Sequence, residues 1–184
     1  MCSSDLLAWA TSRGGLGISA RHVTISTVGL VRKMHELAEC GRPYHLAVSL
    51  HAPNDEVRRR IVPTAEKTPL TDILNASDEF RRKTGRQVTF EYVLLADVND
   101  RPEHAEELAR LLAGRDAMIN LIPYNPVSGL GYRTPSPARS RAFADALRSA
   151  GCVVKIRMRR GAGIAAACGQ LRRSQLEQTT LQER

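Results

Sequence analysis

The chain has 184 residues, 42% apolar, 25% charged and 4% aromatic, and its 27 Lys and Arg against 19 Asp and Glu leave a net charge of +8. That balance excludes a wholly disordered chain and sets the expectation of one soluble globular domain. No apolar run approaches the ~18–20 residues that span a bilayer, and the first residues lack the basic-then-apolar layout of a signal peptide, so the chain reads as cytoplasmic with no membrane partner.

Apolar and amphipathic runs alternate along most of the chain. Residues 22–28 form a β-branched run ending at Gly29, and residues 30–40 carry Leu30, Met34, Leu37 and Ala38 at helical spacing. A second strand is expected over 44–50, a helix from about 54 to 61, another over 69–83 with Gly85 just past its end, and a strand over 87–95. Pro102 stands where a first helical residue would, and Ala105, Leu108, Ala109 and Leu112 make one stripe closed by Gly114. A short buried strand over 117–122 is stopped by Pro123. Ser136 before Pro137 is an N-cap signal for a helix that Gly151 ends, and residues 152–158 form a last strand with Val154, Ile156 and Met158 on one face and Lys155 and Arg157 on the other.

This order of elements predicts a parallel sheet with helical crossovers, either an open doubly wound sheet or a barrel, although a complete barrel needs more units than the chain supplies. Both architectures gather their chemistry at the C-terminal strand ends, which hold Ser26-Thr27, Ser49-Leu50-His51, Asp97-Asn99 and Tyr124-Asn125-Pro126. Taken singly, a Ser or Asn there is a common helix cap or turn residue. Three strand ends carrying Ser26, Ser49 and Asn125 suit a polar ligand that takes several short hydrogen bonds, and His51 is placed to point into its mouth.

Cysteines 2, 40, 152 and 168 have neither metal-clip nor disulfide-framework spacing. Cys168 lies in an Ala- and Gly-rich segment after Arg157, Arg159 and Arg160, where guanidinium charge favours the nucleophilic thiolate. The triplet Arg58-Arg59-Arg60 reads as a solvated helix face. Arg157, Arg159, Arg160, Arg172 and Arg173 are candidates to line an RNA path, and the few aromatics argue against an RRM-like stacking sheet.

Six ordered blocks carry a family resemblance: residues 21–29 (RHVTISTVG), 47–56 (AVSLHAPNDE), 61–63 (IVP), 90–94 (FEYVL) with 98–100 (VND), 120–126 (NLIPYNP) and 166–171 (AACGQL). Together they resemble the radical SAM RNA adenine-C2 methyltransferases, the RlmN/Cfr family. The resemblance covers residues 16–173, leaving 1–15 as a non-matching N-terminus and 174–184 as a polar tail. It implies an α/β fold, a partial (β/α)6 TIM-like radical SAM barrel that is incomplete at its N-terminus. It implies S-adenosylmethionine (SAM) and a [4Fe-4S] cluster as cofactors, with Ser26, Ser49, Leu50, His51 and Asn125 at SAM-contacting positions and Cys168 as the methyl-carrying cysteine.

In that family one SAM methylates the cysteine, and a deoxyadenosyl radical from a second takes hydrogen from the new methyl group. The carbon radical then adds to adenine C2, a C–H carbon that direct displacement would not methylate. The resemblance further implies 23S rRNA and tRNA as substrates, an electron donor for the cluster, a monomer, and C2 as the methylated position, with Cfr-type methylation at C8 as an alternative. The family's CxxxCxxC motif is not among these residues, and Ala162, Gly163 and Ala165 stand where the family has acidic residues. The expectation is therefore a C-terminal portion that is inactive alone, and a basic RNA-binding module without catalysis is the competing reading.

Overall fold

The computed structural model describes residues 3–126 and 130–157. Helix α1 (Ser3–Thr11) precedes strand β1 (Thr24–Thr27), followed by α2 (Val31–Glu39), β2 (His45–Ser49), α3 (Asp55–Ile61), α4 (Leu70–Thr84), β3 (Val88–Leu94), α5 (Pro102–Leu112), β4 (Ala117–Pro123), α6 (Pro137–Ser149) and β5 (Val153–Ile156). The signals that end these elements act as expected. Asn54 caps α3 by accepting from the Val57 N–H at 2.9 Å, Ser136 caps α6 by accepting from Arg139 N–H at 3.1 Å, and Gly85 closes α4 at φ 68°. Strands β1 and β5 are shorter than the apolar runs that announce them, and β4 includes Pro123, which pairs with Leu94. Helix α1 is an addition to the expected elements.

The five strands are all parallel and lie in the order β1-β2-β3-β4-β5. This order decides between the two architectures left open by the sequence. A doubly wound sheet reverses its direction of travel once and so acquires helices on both faces; a chain that always steps the same way, with right-handed crossovers, puts every helix on one face, as a barrel does. Helices α2, α4, α5 and α6 make the four crossovers. The core lies between them and one sheet face, where Val48, Phe90 and Ile119 share a row and meet Ile73, Phe80, Leu108 and Leu147. Every second residue of β3 belongs to that core, and those between are half-buried on the opposite, inner face.

Candidate functional site

The inner face carries polar rows that the strand register aligns. Ser26, Ala47, Thr89 and Met118 are neighbours in one row, and Ser49, Glu91, Asn120 and Lys155 in the next toward the C-terminal ends. Asn120 donates from Nδ2 to Glu91 Oε2 at 2.7 Å, holding the carboxylate against the sheet. Ser26 is exposed and Ser49 half-buried. Asn125 follows β4 by two residues, so β1, β2 and β4 each deliver a nominated small polar residue to the same end of the sheet. Leu50 differs from the others: it is fully buried, its side chain in the helix-facing core and its N–H donating to the Glu91 carbonyl at 3.0 Å. Cys168 lies outside the described residues, as do Arg159, Arg160, Arg172 and Arg173.

His51 is held in an unusual way. Its backbone is left-handed, φ 61°, a conformation that costs a non-glycine residue about 1–2 kcal/mol. Its N–H donates to the Glu91 carbonyl at 3.2 Å, its Nδ1 accepts from Val93 N–H at 3.2 Å, and its carbonyl accepts from Asn99 Nδ2 at 2.8 Å. With Nδ1 used as acceptor, the neutral ring carries its proton on Nε2. Burial, and then the positive charge of Arg58, push the imidazole down from 6.5 to about 4.

The stability consequence has a definite sign. Because the folded pKa lies below the unfolded one, the His51 contribution is complete above pH 6.5 and is lost as pH falls toward about 4. Between pH 7 and 4.5 this amounts to about 2–3 kcal/mol. A His51→Gln variant is expected to lose that part of the pH dependence, read as the difference in urea midpoints between variant and parent across the range; parallel curves would refute it.

The sequence places Asn99 only among the strand-end residues and Arg58 only on a solvated helix face, but both stand behind this site. Asn99, fully buried, bridges the β2 and β3 ends. Arg58 corrects the solvated reading of its triplet: Arg59 and Arg60 are exposed, but Arg58 is 0% exposed. It donates from Nη2 to the Val28 carbonyl at 2.7 Å and from Nη1 to the Thr68 carbonyl at 3.2 Å, tying the turn after β1 to the start of α4. The signal for Asn99 and Glu91 was present as polar residues beside a buried run, whereas nothing local distinguishes Arg58 from its neighbours.

With the geometry established, comparison with known proteins shows its kinship. The probable dual-specificity RNA methyltransferase RlmN of Rhodopirellula baltica is 54% identical over 168 residues, 91% of this chain and 45% of its own length. Nearly all of the chain thus matches part of an RlmN protein. The probable RlmN of Symbiobacterium thermophilum is 52% identical over 159 residues, 86% of this chain and 43% of its own. This chain thus spans under half the length of the curated RlmN relatives it matches. A crystal structure of a radical SAM methyltransferase from Sphaerobacter thermophilus superposes with a TM-score of 0.84 at 43% identity, covering 88% of this chain and 47% of that one. A domain of pyruvate-formate lyase-activating enzyme from Bacteroides vulgatus shares the fold, with a TM-score of 0.63 at 21% identity over 84% of this chain and 91% of that one. No family model matches the chain.

Proposed function

We propose that this chain is the SAM-holding and methyl-carrying part of an RlmN-type RNA methyltransferase that acts on adenine C2 in 23S rRNA and tRNA. The observation that carries the reading is the convergence of Ser26, Ser49, His51 and Asn125 on one end of a one-way parallel sheet. The donor set fits SAM. Short hydroxyls and an amide suit the ribose and adenine edges, and the Glu91 carboxylate on the inner face complements a cationic ligand.

The described residues do not fit an iron–sulfur cluster. None of them forms a group of three His, Cys, Asp or Glu able to hold a metal. Cys40, just before β2, and Cys152, just before β5, sit at the opposite end of the sheet from His51. Cluster ligands are assigned to protein outside this chain, and residues 16–173 to the unit that works with it, flanked by 1–15 and 174–184.

SAM, when bound, supplies the methyl carbon and the radical chemistry that a C–H carbon requires. The protein's share is positional. Ser26, Ser49 and Asn125 fix the nucleoside, the buried neutral His51 shapes the mouth without adding a positive charge next to a sulfonium, and the Cys168 sulfur accepts the methyl group and presents it to C2.

The test uses the whole protein that contains this chain, loaded with iron and sulfide under reducing conditions and given a 23S rRNA fragment. Nucleoside mass spectrometry is expected to find 2-methyladenine, and none with Cys168→Ala. Turnover that survives Cys168→Ala, or 8-methyladenine as the product, would overturn the assigned carrier or the assigned position.

A further inference from the structure

We propose that a rim over the C-terminal ends of β2, β3 and β4, built from Tyr124, Tyr132, Arg59, Arg60 and Arg101, is the surface on which unpaired RNA lies beside the target adenine. The proposal rests on the methyltransferase reading and adds to it where this chain touches the nucleic acid.

Two of the chain's four tyrosines meet here. The rings of Tyr124 and Tyr132 lie edge to face, with centroids 6.0 Å apart at 82°. The segment that carries Tyr132 is strapped across the site: Tyr132 Oη donates to the Arg60 carbonyl at 3.2 Å, Thr134 Oγ1 donates to the Tyr124 carbonyl at 2.8 Å, and Ala96 N–H donates to the Arg133 carbonyl at 2.9 Å. These bonds join the segments after β2, β3 and β4 and hold a half-exposed ring beside the strand-end residues.

The arginines of this end fall into two groups. Arg133 is 2.7 Å and Arg139 3.6 Å from Asp97, and Arg139 is also 2.9 Å from Asp100, so their charge is already balanced. Arg59, Arg60 and Arg101 are exposed, and no ion pair to a carboxylate is found for them among the described residues. A fixed aromatic face beside unbalanced guanidinium groups matches a polyanion with planar bases. An enzyme that works on an adenine edge must meet it unstacked, which makes a neighbouring stacking surface useful.

The whole protein and an RNA hairpin bearing the target adenine provide the test. Arg59→Gln with Arg60→Gln is expected to weaken RNA binding at least tenfold and to reduce the salt slope by about 1–2. Tyr132→Ala is expected to weaken binding by between about 5- and 100-fold, whereas Tyr132→Phe, which keeps the ring, stays within about twofold of the parent. SAM affinity is unchanged in all three. RNA affinity unchanged in the double arginine variant and in Tyr132→Ala, with the parent still methylating that RNA, overturns the rim and leaves the methyltransferase reading intact. Equal loss toward polyglutamate would also overturn it, as a surface for acidic protein. A parent that binds SAM but no RNA overturns both.

Discussion

Replacing Asn99 with alanine is expected to destabilise the fold by about 3–5 kcal/mol, a large share of what a domain of this size has. Asn99 is 0% exposed. Its Nδ2 donates to the His51 carbonyl at 2.8 Å and the Val93 carbonyl at 2.7 Å, and its Oδ1 accepts from Leu95 N–H at 2.7 Å. Its own carbonyl accepts from Tyr92 Oη at 2.8 Å. Alanine leaves three main-chain groups, buried or partly buried, without their partner, at about 1–3 kcal/mol each before relaxation. It also removes the bond that holds His51 in its left-handed conformation, so SAM affinity falls together with stability. Asn99→Asp keeps the acceptor for Leu95 but loses both donations and buries a charge, and is expected to do no better. Urea unfolding and SAM titration measure the two effects, and a midpoint equal to the parent's would refute the role given to Asn99.

Arg58→Met is expected to cost about 2–4 kcal/mol even though methionine replaces much of the aliphatic stem. The variant leaves the carbonyls of Val28 and Thr68 unpaired. Part of the loss is offset because the Arg58 Nε has no partner in the parent and a buried charge is relieved. Lysine is expected to recover less than half, since one ammonium does not reproduce a planar fork that reaches two carbonyls in different directions.

The turn that Arg58 grips has no room for a side chain: at Gly29, φ 97°, an added Cβ would stand 2.4 Å from Ile73 Cδ1. A second readout separates Arg58 from a general packing defect. Arg58 helps to depress the His51 imidazole from 6.5 to about 4, so in Arg58→Met the imidazole titrates closer to 6.5 while burial still holds it below. An NMR titration showing no upward move would separate the two residues electrostatically.

The strands and helices were legible because their signals are local. Alternation along β3 separates Phe90 and Tyr92 from Thr89 and Glu91, and Ser136-Pro137 and Gly85 mark helix ends through backbone geometry that those residues favour. The choice between a doubly wound sheet and a barrel was not legible from periodicity, because strand order is set by contacts between distant segments. The site divided in the same way. Ser26, Ser49 and His51 could be nominated because they follow apolar runs. Arg58 could not, since its burial depends on the β1 turn and α4 closing over it, and Asn99 in Asp-Val-Asn-Asp looks like an ordinary turn residue until its amide is seen spanning two strand ends. Leu50 shows a limit of reading by motif: its position matches, yet its side chain belongs to the core.

The one-way strand order also bears on how the chain is made. Each strand after β1 pairs with the one that precedes it in sequence, as in His45 with Thr24 and Ala117 with Val88, so each of them finds its first pairing partner already made. Such a sheet can grow one βα unit at a time as the polypeptide leaves the ribosome, with each new helix covering the strand just added. Synthesis order and assembly order then coincide, and β5 joins an edge that β4 has already presented.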